Sequence, residues 1–117
     1  MPGVVGHHGV DARNFSPGRL AEVVTVAASD VGDFFCEFSN YGPAVDIIAP
    51  GERILSAGIA NEMDIVEKSG TSFATAHATG IIAKILGHRH FSPKQTVRLL
   101  QFMSARGKLK NLRRDTW

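Results

Sequence analysis

The sequence predicts an α/β fold, on three observations: short β-branched apolar runs come first, Gly- and Pro-bearing breaks separate them, and two helix signals follow. Residues 2–19 are rich in Gly, His, Asn, Ser and Pro and read as loop. Val23 to Ala28 is an unbroken apolar run apart from Thr25, closed by Ser29-Asp30, as expected of a strand buried on both faces of a parallel sheet. Phe34 to Phe38 reads as a second short extended piece before the turn Ser39-Asn40-Tyr41-Gly42-Pro43. Val45 to Ala49 is a third run, stopped by Pro50-Gly51, and Ile54 to Ala57 a fourth. Ile59 to Lys68 reads as a hairpin turning near Asn61-Glu62.

The first helix is expected from about Ser72 to Leu86, with Gly87 at its C-terminal cap. Its apolar positions Phe73, Ala76, Ile81, Ile82, Ile85 and Leu86 wrap most of the way round and only Lys84 brings charge, which predicts a buried helix. The second opens at Ser92-Pro93-Lys94-Gln95, where Ser92 is a natural N-cap, Pro93 suits the first helical position and Gln95 has capping-box spacing. Val97, Leu100 and Met103 form its stripe, and Gly107 is expected to end it. Residues 1–107 thus read as one structural unit and 108–117 as a basic, loose tail.

With 117 residues, 44% of them hydrophobic, the chain can build one core. A net charge of +2 is too small to argue for nucleic acid or a membrane surface. No apolar run approaches the roughly 20 residues of a membrane span. Residues 1–15 show no basic start followed by an apolar core, so no signal peptide is visible. The single cysteine, Cys36, lies in the apolar run Phe34-Phe35-Cys36-Glu37-Phe38 and reads as a buried thiol.

Ser72 stands at the seam between the turn Ser69-Gly70-Thr71 and a small-residue helix. A turn there can expose its hydroxyl, and a helix N-terminus offers unpaired N–H groups where an oxyanion would form. The bland alternative is an ordinary N-cap serine. The run Ser69-Gly70-Thr71-Ser72-Phe73-Ala74-Thr75-Ala76-His77-Ala78-Thr79-Gly80 resembles the nucleophile segment of the subtilisin-like serine peptidases, the subtilases, with Ala76 where that family has proline. Other stretches match in order. Asp11 to Pro17, Val24 to Ala28, Phe38 to Gly42 and Val45 to Gly51 are similar to subtilase segments, nearest to the proteinase K-like branch.

The resemblance implies the C-terminal portion of a subtilase fold, a mainly parallel sheet with helices on both faces. It implies a serine endopeptidase with Ser72 as nucleophile. A Ser-His-Asp mechanism needs a base and an orienting carboxylate, and in subtilases both precede the serine. Only 71 residues precede Ser72, and no family Asp or His motif is found among them. The expectation is therefore a fragment that is inactive alone and depends on an upstream half supplying Asp and His. A catalytically inactive relic of the fold is the alternative. A third reading, unrelated to proteolysis, is a small binding domain using the basic tail.

By register, Val4, Val5 and Gly6 would line a substrate pocket for a peptide or protein chain, and His7 falls where the family places an oxyanion-hole asparagine beside the Ser72 backbone N–H. His7 reads equally well as a substitute donor or as a plain loop residue. Asp46 matches a calcium-binding aspartate, but one carboxylate holds Ca²⁺ weakly, and a turn or cap role is preferred; no other cofactor is expected. His77 sits about 140° around the helix from Ser72 and reads as a packing residue. His7, His8, His88 and His90 do not match a zinc spacing. Asp33, Asp64 and Glu67 read as surface carboxylates. Arg106, Lys108, Lys110, Arg113 and Arg114 face only Asp115 and are read as solvated, with Trp117 a terminal anchor or frayed. For a full-length family member an extracellular site is expected, its export signal lying upstream.

Overall fold

A computed structural model describes residues 1–113 and 116. The β-branched run forms β2 (Val24–Ser29), whose six residues are all buried. Such a strand belongs in the middle of a sheet. β1 (Pro2–Val4) and β3 (Ile47–Pro50) pair with it in parallel on either side, in the order β1-β2-β3. Val4 lies opposite Val26, and Val26 opposite Ile47. β1 corrects the loop expected over residues 2–19. Pro2 lacks an N–H and is tolerated because it begins an edge strand. A single 3-10 turn, Ala12–Asn14, follows, with Asp11 Oδ1 accepting the Arg13 N–H.

β4 (Ile54–Ala57) and β5 (Ile65–Lys68) form an antiparallel hairpin, so the hairpin begins earlier than its sequence signal. Asp64 closes the connection: its carbonyl accepts from Gly58 and its Oδ2 from Ala60. Phe34 to Phe38 is not a strand. It makes isolated bridges, Ser29 with Phe35 and Phe34 with Lys110.

α1 (Thr71–His88) lays Ala74, Ala78 and Ile85 over Val24, Val26, Ala28, Ile47 and Ala49. α2 (Pro93–Met103) adds Leu100 to the same cluster. The opposite face of the sheet is covered by Val5, Ala12, Phe35 and Val45 around Ala27. Small side chains let α1 approach closely, and Gly51 is the limiting contact. A Cβ there would lie 2.7 Å from the Ala28 Cβ and 2.9 Å from the Gly70 carbonyl oxygen.

The expectation that α1 is buried all round is corrected. Ile81 and Leu86 are 47% and 43% exposed, because within this chain only one side of the helix meets the sheet. α1 also runs through Gly87 to an Arg89 cap. α2 carries the expected capping box, Ser92 with Gln95, but ends at Met103, ahead of Gly107. No helix among the described residues is long and apolar enough to cross a membrane.

The tail is not loose where described. The Lys110 N–H donates to the Asp33 carbonyl, and its own carbonyl accepts from Phe35. The Lys110 ammonium lies 4.9 Å from the Phe34 ring centroid, and the Arg113 guanidinium 5.7 Å from that of Tyr41. Thr116 is buried and accepts the Gly42 N–H. Stacking on aromatic rings and backbone pairing hold these cations against the body, where net charge alone left them solvated. The expectations for Arg114, Asp115 and Trp117 lie outside the described residues.

Cys36 is buried, as its apolar setting predicts. Burial pushes its thiol up to about 12, with Glu52 and Asp30 adding repulsion against a thiolate. Two outcomes follow. Cys36 should resist alkylation at pH 8 in the folded chain and react at the rate of a free thiol in denaturant. Because its folded pKa is raised, its contribution to stability is complete below about pH 8.5, the unfolded thiol value, and declines as pH rises toward 12. A separate test concerns the helix–sheet approach. Gly51→Ala should destabilise the chain by about 1–3 kcal/mol in a denaturant titration, since the added methyl would meet backbone and core methyls.

Candidate active site

Ser72 is the second residue of α1 and is exposed. Among the described residues no group hydrogen-bonds its hydroxyl. Three tethers hold the turn that carries it. The Gly70 N–H donates to the Gly51 carbonyl at 2.7 Å, joining the end of β3 to the start of α1. Ala74, fully buried, packs the first turn into the core cluster beneath. The third tether comes from the loop after β1: the Thr71 N–H donates to His7 Nε2 at 3.1 Å, and Thr71 Oγ1 lies 3.1 Å from His7 Nδ1.

That loop is shaped by a residue far along the chain. Asn40, 0% exposed, accepts the His8 and Val10 N–H groups on Oδ1 at 2.9 and 3.1 Å and donates from Nδ2 to the Val5 carbonyl at 2.9 Å. Its own N–H donates to the Gly6 carbonyl at 3.1 Å. Every polar group of the carboxamide faces the loop that brackets His7. The position before His7 must be glycine: Gly6 has φ 101°, and a Cβ there would sit 2.5 Å from Asn40 Nδ2. The His7 ring lies flat on Phe38, with centroids 5.4 Å apart.

The structure therefore brings His7 to the first turn of α1, next to Ser72. Both ring nitrogens are engaged by Thr71, so donating to an oxyanion would require the ring to leave it. Val4 and Gly6 are half-buried. Val5 is 1% exposed, packs with Ala12, Phe35 and Val45, and has both backbone groups engaged, its N–H by the Val26 carbonyl and its carbonyl by Asn40 Nδ2, so it is a core residue and not a pocket wall.

The remaining candidates are held elsewhere. His77 Nδ1 donates to the Phe73 carbonyl one turn back, at 2.9 Å. His8 stacks on Phe15. The Glu67 carboxylate pairs with Arg53 across the hairpin at 3.1 Å, and Asp64 closes the hairpin turn. Asp33 lends its carbonyl to Lys110. His88 and His90 are exposed, and no group of three or more His, Cys, Asp or Glu among the described residues is placed to hold a metal ion. Asp46 Oδ2 accepts the Thr25 N–H at 2.7 Å, and its own N–H donates to the Thr25 carbonyl, which begins the β2–β3 ladder. Burial raises its pKa, partly offset by the Thr25 bond.

An open groove of about 470 Å³ runs between β4 and α1, lined by Ile54, Leu55, Phe73, His77, Ile81 and Lys84 among others, and Ser72 is not among its lining residues. Leu55 and Ile65 of the hairpin are 70% and 69% exposed. The roles of Asn40 and Gly51 are not legible from their local sequence. The signal for each was a turn motif, Ser39-Asn40-Tyr41-Gly42 and Pro50-Gly51, which marks a turn without naming its distant partners.

Comparison with known proteins agrees with this arrangement. The sequence model of the subtilase family matches residues 11–116. Proteinase R of Parengyodontium album is 36% identical over 107 residues, which are 92% of this chain and 27% of that protein. Alkaline protease 1 of Aspergillus clavatus is 39% identical over 102 residues, 86% of this chain and 25% of that protein. The chain thus spans about a quarter of the length of these relatives. The crystal structure of a cold adapted subtilisin-like serine proteinase superposes with a TM-score of 0.88 at 35% identity, covering 97% of this chain and 41% of that one. The motifs around Ser72, the parallel sheet beneath it and these matches place the chain in the subtilase family of serine proteases.

Proposed function

We propose that this chain is the nucleophile-bearing part of a subtilisin-like serine endopeptidase, with Ser72 attacking the carbonyl carbon of a peptide bond in a peptide or protein substrate. The observation that carries the reading is the exposed, unbonded Ser72 hydroxyl on a helix start held from below and from the side. Attack forms an Oγ–C bond. The serine proton passes to a histidine base, and the carbonyl becomes an oxyanion. The Ser72 backbone N–H and the positive end of α1 would stabilise that charge. The base then protonates the leaving amine, and water releases the acyl group by the same path in reverse.

His77 is bonded to its own helix and His7 to Thr71, which supports a base from elsewhere. We assign it, with the orienting aspartate, to the upstream half of a full-length subtilase. The apolar groove beside α1 is the surface against which that half would pack, burying Leu55, Phe73 and Ile81. The full-length protein would act outside the cell. Ca²⁺ at Asp46 is not part of the proposal, because that carboxylate begins a strand pairing.

A fluorophosphonate serine probe tests the reading on the purified chain and on the chain mixed with the upstream half of a related subtilase. The expected outcome is labelling in the mixture only, abolished by Ser72→Ala. No labelling in a mixture whose assembly is verified by sizing would contradict it, and would make the chain an inactive relic of the fold.

A further inference from the structure

We propose that His7 is a positioning residue for Ser72: its Nε2 accepts the first N–H of α1 and thereby sets the turn that carries the hydroxyl. The catalytic consequence rests on the reading of Ser72 as nucleophile; the hydrogen bond does not.

A helix start leaves its first N–H groups without intrahelical partners, and a polar side chain at the cap usually answers one of them. The cap residue here is Gly70, which has no side chain to offer. The Thr71 N–H is answered instead by His7, 64 residues away. Because that N–H donates, Nε2 carries no proton. In the neutral ring the proton then lies on Nδ1, which donates to Thr71 Oγ1. With the ring in place Thr71 is 0% exposed, so in the folded chain His7 is the partner of that N–H and water does not compete for it.

The ring is also fixed in space. It stacks on Phe38, and a Cβ at Gly70 would come within 2.7 Å of Nε2. Gly70 is thus the residue that admits the ring to the backbone it holds. Asn40 pins the chain on both sides of His7, through the Val5 carbonyl and the His8 N–H. The role is that of an acceptor, opposite in sense to donation to an oxyanion.

Two variants of similar reach separate these roles. His7→Glu keeps an acceptor and has no donor, whereas His7→Lys keeps a donor and has no acceptor. Two-bond ¹H–¹⁵N spectra of the ring in the 117-residue chain should show the Nδ1–H tautomer. The Thr71 amide should exchange at close to the parent rate in His7→Glu and about tenfold or more faster in His7→Lys, with β2 amides unchanged as the control for folding. Fluorophosphonate labelling in the complemented mixture should follow the same order. An Nε2–H tautomer, or Thr71 protection that survives in His7→Lys, would overturn the proposal. The expected tautomer and exchange with no labelling of the parent chain would leave His7 as the helix cap and remove Ser72 as a nucleophile.

Discussion

The buried carboxamide of Asn40 is the interaction on which the geometry around Ser72 depends. It takes two N–H groups and one carbonyl from the loop after β1, and its backbone takes a second carbonyl. Both polar atoms of the carboxamide have partners, which is the condition under which a buried polar group adds rigidity instead of cost. It leaves the loop one conformation, with glycine at position 6 and the His7 ring directed at α1. A loop without this anchor would have no fixed relation to a helix that begins 64 residues later in the chain.

The second constraint is how closely α1 can approach the sheet. β2 supplies Ala28 and α1 supplies Ala74, and between them Gly51 has room for no side chain at all. This closeness lets the Gly70 N–H reach the Gly51 carbonyl, so the end of a parallel strand and the start of a helix meet at the serine. The sheet fixes where the serine stands, and the Asn40 loop fixes how its turn is held. The outer face of α1 and the hairpin contribute nothing to this inner packing. They leave Leu55, Ile65 and Ile81 in solvent.

Much of this was legible in the residues, and the exceptions share a cause. Val24 to Ala28 declared a central strand because β-branched and small apolar residues without alternation fit no solvated face. Ser92 and Gln95 declared a helix start because their capping bonds are local. Ser72 stood out because a turn, a helix and a hydroxyl meet within a few residues. What was not legible depended on distant partners. Pro2 to Val4 is a strand only because Val24 to Val26 lies beside it. Lys110 lies on Phe34 because backbone pairing carries it there. Asn40 looked like one more turn asparagine, since its partners lie 30 to 35 residues upstream. The helical period of α1 reported apolar residues all round but not what would cover the outer ones.

The central claim is that the Asn40 loop and the start of α1 behave as one unit. Site-resolved amide exchange in Asn40→Ala tests it most directly. Loss of the carboxamide should speed exchange at His8 and Val10, and, through His7, at Thr71 as well, by about tenfold or more, while β2 keeps its protection. Faster exchange at His8 and Val10 with Thr71 unchanged would contradict the claim, because α1 would then hold its first turn without the loop.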